Sequence, residues 1–154
     1  MISTGRSNFA GNILVSDGYA MVTNAGQNDG ISGVMSGGAF KKMGSGTLKV
    51  SGTNNAVSSS ELADGTLQLA GGAALPDYNT LSFTGANTTL DLNGVSESIG
   101  SIASTNGYGK VTSSVAGNIT LTVGLSNFNT VYTGLMHVMK ICGAMTMFMI
   151  LSWW

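Results

Sequence analysis

GTLKVSG at Gly46–Gly52 and GTLQLAG at Gly65–Gly71 carry the reading of the fold. A loosened copy, TTLDLNG, covers Thr88–Gly94, and a weaker echo, GNITLTVG, covers Gly117–Gly124. In each copy the apolar residues fall two apart: Leu48 and Val50, Leu67 and Leu69, Leu90 and Leu92, Leu121 and Val123. Side chains alternate faces along a strand, so this period describes strands with one buried and one wet face. Thr47, Lys49, Thr66, Gln68, Thr89 and Asp91 take the wet positions. Copies spaced by 19, 23 and about 30 residues suit the successive turns of a solenoid. The eight apolar residues are therefore the candidate stacked core.

Further strands are expected at Leu81–Phe83 and Ile99–Ile102, with Lys110–Thr112 a weaker case. Loops fall at Asn106–Gly109 and at GGAALPDYN around Pro76. Upstream, ISGVMSGG reads as a short strand and a stop, and Lys41–Met43 as a bridge to the first GTL unit. Residues 1–30 are poorly defined. Ile13–Val15 and Ala20–Thr23 read as short strands about the Asp17-Gly18 turn, and NAGQNDG (Asn24–Gly30) reads as loop. The chain has 154 residues with 23 Gly and one Pro. Its richness in Gly, Asn, Ser and Thr suits many short strands joined by tight turns. Together these features predict an all-β fold, a right-handed parallel β-helix of three to four coils spanning roughly 15–20 Å. TVYTGLM at Thr130–Met136 echoes GISGVMS at Gly30–Ser36 and is read as the start of a second module.

Residues 135–154 have a different composition. LMHVMKICGAMTMFMILSWW holds five of the nine Met, the single Cys, the single His and both Trp. It is apolar nearly all round and is compatible with a short helix. After Lys140 only 14 residues remain, about 21 Å of helix, which is short for a bilayer span. Membrane contact by this tail is not expected. It is read as a truncated or frameshifted continuation, with a docked cap helix as the alternative.

Little in the chain points to chemistry. The net charge is −1, and Lys41-Lys42 is the longest charge run, read as a solvated turn. Nucleic-acid binding needs several phosphate-neutralising cations on one face, so none is expected. Cys142 has no partner for a disulfide and His137 no visible nucleophile or carboxylate. Asp17, Asp29, Glu61, Asp64, Asp77, Asp91 and Glu97 are scattered, which predicts turn and surface roles rather than a catalytic groove. NDG at Asn28–Gly30 lacks a repeated calcium-ligand pattern. In MGSGTLK the glycines open a strand, whereas a phosphate-binding loop opens a helix. Asn87 and Asn118 stand in glycosylation sequons, a pattern common by chance. No catalytic, cofactor or metal residue is expected. Tyr78, Tyr108 and Tyr132 lie in or near loops, where they serve either packing or an adhesive surface.

In order, the chain reads ISGVMSGG…FKKMGSGTLKVSGTNN…SSSELADGTLQLAGGAALP…LSFTGANTTLDLNGVSESIGSIAS…GKVTSSVAGNITLTVG…NTVYTG over residues 31–134. This succession resembles the autotransporter-associated β-strand repeat of passenger domains in bacterial type V secreted proteins. The resemblance implies a non-enzymatic β-helical stalk at the cell surface or outer membrane of a Gram-negative bacterium, or secreted from it. It implies as partners the rest of the passenger and a C-terminal barrel that carries it out. The opening MISTGRSNFAGNILV lacks the apolar run and cleavage site of a secretory signal, so an export signal is expected outside this chain. An adhesin-type binding surface for a host or other ligand is the alternative function. A polysaccharide-processing β-helix enzyme is a third, which a groove of clustered carboxylates would support.

Overall fold

The structure, a computed structural model, describes residues 7–16, 18–104, 106–126 and 129–136. Its described residues form strands without a helix. The first five are β1 (Asn8–Phe9), β2 (Ile13–Val15), β3 (Tyr19–Val22), β4 (Asn28–Ile31) and β5 (Met35–Met43). Next come β6 (Thr47–Val50), β7 (Ala56–Leu62), β8 (Gly65–Leu69), β9 (Thr80–Phe83) and β10 (Thr88–Asp91). The series ends with β11 (Glu97–Ile99), β12 (Ser101–Ser104), β13 (Lys110–Thr112), β14 (Leu121–Val123) and β15 (Leu135–Met136).

The strands pair in parallel into three sheets wound by one coiling chain. The first sheet runs β1-β4-β6-β8-β10-β13-β15. The second runs β12-β9-β7-β5-β2, with β3 also pairing β5. The third is the pair β11-β14. The molecule is a parallel β-helix. Seven strands in the first sheet make six coil-to-coil steps, a rise of roughly 29 Å at about 4.8 Å per step. The expectation of three to four coils falls short because the first and last rungs carry no GTL phrase.

Register explains why the phrase repeats. Leu48, Leu67, Leu90 and Val111 stand in one row, with Asp29 before them and Met136 after. Phe9, Ile31, Val50 and Leu69 make the neighbouring row. Opposite them on the second sheet stand Phe40, Ser60, Leu81 and Ile102. These rows meet in one continuous core along the axis.

Both ends of the phrase turn corners. A Cβ added at Gly52 would land on the carbonyl oxygen of Gly33, one coil earlier. Gly65 lies at φ 70, and a Cβ there would strike the carbonyl oxygens of Gly44 and Gly46. The glycines mark places where successive backbones pass too closely for a side chain.

Several local expectations are corrected. Leu121 and Val123 leave the Leu48 row; they pair with Glu97 and Ile99 on the third sheet. The rung above Leu90 is Val111, because β11 has added a third side to the coil before Leu121 is reached. Asn28–Gly30 is strand rather than loop: β4 is held between β1 and β6, and this pairing overrides the poor strand propensity of NDG. Only Asn24–Gln27 closes as a turn, with the Gln27 amide donating to the Asn24 carbonyl (3.0 Å). No stop follows ISGVMSGG. β5 runs through Gly37-Gly38, lined by β2 and β3 on one edge and β7 on the other. Ile99–Ile102 breaks at Gly100 into strands of two different sheets. The echo at Thr130–Met136 does not take the sheet positions of Gly30–Ser36. Tyr132 bridges to Ser104 on the second sheet before Leu135 joins the first, the reverse of the Ile31-then-Met35 order.

Leu135 and Met136 thus form a rung continuous with β13. The expected apolar helix, His137 and Cys142 lie outside the described residues. No helix among the described residues is long and apolar enough to cross a membrane.

Candidate functional surfaces and buried charges

All eight candidate core residues are buried. Leu48, Val50, Leu67, Leu69, Leu90 and Leu92 lie under the first sheet and the corner after it, while Leu121 and Val123 lie under the third. The structure therefore divides the set between two faces.

The alternation that buries Phe40 also buries the residue two further on, Lys42, which is 0 % exposed. The reading of Lys41-Lys42 as a solvated pair is corrected. Lys41 points outward and meets Glu61 at 2.7 Å; Lys42 points inward. Its ammonium donates to the carbonyls of Met43 (2.9 Å), Gly44 (2.6 Å) and Asp64 (3.1 Å). Burial lowers its pKa to about 8, against the opposing pull of Asp64 and Asp29. The period-two alternation that buries the leucines also places Lys42 inside, against the preference of a charged side chain for water.

Three of the scattered carboxylates are interior rather than on the surface. Asp29, Asp91 and Glu97 are buried, which corrects the turn-and-surface reading for these three. Asp29 accepts the Ser7 amide through Oδ1 (2.8 Å). Asp91 stands on the outer side of β10 under a cover of neighbours. It accepts from Gln68 Nε2 (2.9 Å) and from the amides of Asn93 (2.9 Å) and Ser114 (2.8 Å). Burial pushes its pKa upward, but these hydrogen bonds prevail and hold it below the ordinary value. Glu97 accepts the Ala74 amide at Oε2 (2.8 Å) and the Ser98 amide at Oε1 (3.1 Å). Burial raises its pKa, and nearby Asp77 adds to the rise. Glu97 thus ties the loop around Pro76 to β11, whose other edge pairs β14. An inward carboxylate bonded to its own strand blunts an edge that would otherwise be free to pair.

Surface depressions among the described residues lie around this core. A cleft of about 170 Å³ beside Glu97 is lined by Asp77 and the hydroxyl residues Ser96, Ser98, Thr120 and Thr122. A groove of about 510 Å³ crosses the second sheet over Ala39, Ser59 and Ser82, walled by the Lys41–Glu61 pair. There Thr84 also donates to Glu61 Oε1 (2.7 Å), and the hydrogen bond from Lys41 holds the Glu61 carboxyl low. A groove of about 630 Å³ lies on the outer face of the first sheet around Gly30 and Lys49. Among the described residues no group of three His, Cys, Asp or Glu side chains is placed to hold a metal ion.

Of the tyrosines, Tyr78 is exposed. Tyr132 is a packing residue, its ring 5.6 Å from that of Phe83. Its single hydroxyl proton lies within reach of the carbonyls of Gly109 (3.1 Å) and Leu135 (3.2 Å), and burial raises its pKa to about 12.

The fold defines a class: a parallel β-solenoid. Comparison with protein-family models, with curated proteins and with solved structures finds no match.

Proposed function

We propose that this chain is a non-enzymatic stalk segment of an autotransporter passenger, supporting folding and surface display during type V secretion in a Gram-negative bacterium. Its partners are the rest of the passenger and the C-terminal barrel that exports it. The observation that carries this reading is the rung-by-rung core. Each residue of the row from Leu48 to Val111 is buried and stacks on its counterpart in the coil next to it. Folding of such a solenoid can propagate from one end, because each coil completes the binding face for the next. A chain emerging through a pore can therefore fold as it appears, and folding outside disfavours retreat.

The test places the chain between a signal peptide and an exporting barrel and measures surface display by protease accessibility on intact cells. Leu67→Asp puts a charge into the middle rung and is expected to reduce display at least tenfold. Thr66→Asp, on the outer side of the same strand, is expected to leave display near wild type. Equal display from both variants, or from a passenger lacking residues 31–134, sinks the reading.

A further inference from the structure

Asparagine stands immediately before glycine twice, at Asn93-Gly94 and at Asn106-Gly107. Such a pair can react with itself. The glycine nitrogen, on losing its proton to solvent base, attacks the side-chain carbonyl carbon of the asparagine, and ammonia leaves as the ring closes to a succinimide. Water then opens the ring at either carbonyl, giving aspartate or isoaspartate, so the net change consumes one water and releases one ammonia. Glycine permits the attack because no Cβ crowds its nitrogen. That nitrogen must also be released from its hydrogen bond and swing toward the carboxamide, so the rate follows how easily the local turn opens.

Both asparagines lie in the left-handed region, at φ 47 and φ 67, and their glycines lie there too, at φ 81 and φ 70. The two turns differ in what holds them. Asn93 Nδ2 donates to the Leu69 carbonyl (3.0 Å) one coil earlier, and its Oδ1 accepts from Ser114 Oγ (3.4 Å) one coil later. The Asn93 amide donates to Asp91 Oδ1 (2.9 Å), and the Gly94 amide, which is the attacking group, to Ser113 Oγ (3.0 Å). Ser113 is itself buried and donates its hydroxyl proton to the Val115 carbonyl (2.6 Å). Asn106 and Gly107, by contrast, are exposed. The Asn106 carboxamide has no hydrogen-bond partner among the described residues. The Gly107 amide donates to Thr133 Oγ1 (3.0 Å), the hydroxyl of an exposed residue.

We propose that Asn106 is a site of spontaneous deamidation to aspartate and isoaspartate, while the bonds around Asn93 hold the other Asn-Gly pair unreactive. What rests on Asn106–Gly109 sets the consequence. The Leu135 amide donates to the Gly109 carbonyl (2.9 Å), and a Cβ added at Gly134 would strike the carbonyl oxygens of Tyr108 and Gly109. Isoaspartate lengthens the backbone by a methylene group beneath this contact. The reaction therefore loosens the last rung and leaves the central coils intact, and it does so whether or not the chain is a stalk.

The full chain is incubated at mildly alkaline pH and its peptides are followed by mass spectrometry with isoaspartate detection. Asn106 is expected to convert at least about tenfold faster than Asn93, since several hydrogen bonds must break to free the latter. In urea, where both turns are open, the two rates should become alike. Asn106→Gly, which suits the left-handed turn, should abolish conversion in that peptide, and Ser113→Ala should speed Asn93 at least about threefold. In the aged protein, amide exchange should quicken in β13 and β15 and hold in β6 and β8. Equal rates in the folded chain, a faster Asn93, or a ratio that persists in urea overturns the inference. Should Ser113→Ala unfold, the folded and urea ratios decide.

Discussion

Lys42 shows how a single residue can be charged and interior at once. Its ammonium closes three carbonyls at the corner between the second and first sheets, groups that would otherwise be buried without donors. Because burial depresses its pKa to about 8 from 10.5, its contribution to stability is fullest above the unfolded value and is lost as pH falls through about 8. The cost of Lys42→Met is therefore expected to grow between pH 7 and pH 10, as read by urea unfolding of both proteins across that range. A constant difference would place the ammonium in water. Glu97 has the opposite sign. Its raised pKa gives stability that is present in acid and lost as pH rises through the folded value. Against Glu97→Gln, the wild type should thus lose relative stability from pH 4 to pH 7. A difference that stayed flat, or moved toward the wild type, would contradict the burial of this carboxyl.

Strands in this molecule are set by their neighbours more than by their own composition. β4 has the sequence NDGI and is a strand because β1 and β6 flank it. β5 passes two glycines without stopping because both its edges are paired. Corners, by contrast, are set by close approach, and this can be measured. Gly52→Ala forces a Cβ onto the Gly33 carbonyl oxygen and is expected to destabilise by about 2 kcal/mol, since a packed backbone must shift. Gly11→Ala meets nothing within 4 Å and should fall within about 0.5 kcal/mol of wild type. Matching unfolding midpoints for the two variants would dissolve the corner argument.

For the whole molecule the controlling fact is quasi-one-dimensional contact: each coil touches the one before and the one after. Among the described residues β1 and β15 pair along one edge only, and Leu125, Val131 and Leu135 near the last rung are exposed. Unpaired edges beside apolar side chains favour association. Sedimentation of the full chain is expected to show a weight-average mass that climbs with concentration in the micromolar range. Amide exchange should be slowest in β6, β8 and β10 and quicken toward β1 and β15, as stability summed from neighbour contacts requires. A concentration-independent monomer with uniform protection would contradict both expectations.

The sequence by itself determined that the chain makes amphipathic strands, that glycine closes each phrase, and that leucine rows form a core. These are local codes: alternation within a strand and a missing Cβ at a corner. It also determined part of the groove over the first sheet, since Thr47, Lys49 and Gln68 alternate with buried neighbours. Asn8, Asn28 and Gly30 were illegible there, because their composition spells loop and only the coils beside them make them strand. The tertiary structure alone decided that Val111 rather than Leu121 continues the Leu48 row, that Lys42 turns inward, and that the coil makes six steps. Each depends on register between segments about 20 residues apart, and that register is chosen by the fit of whole coils against one another rather than by any residue's own preference.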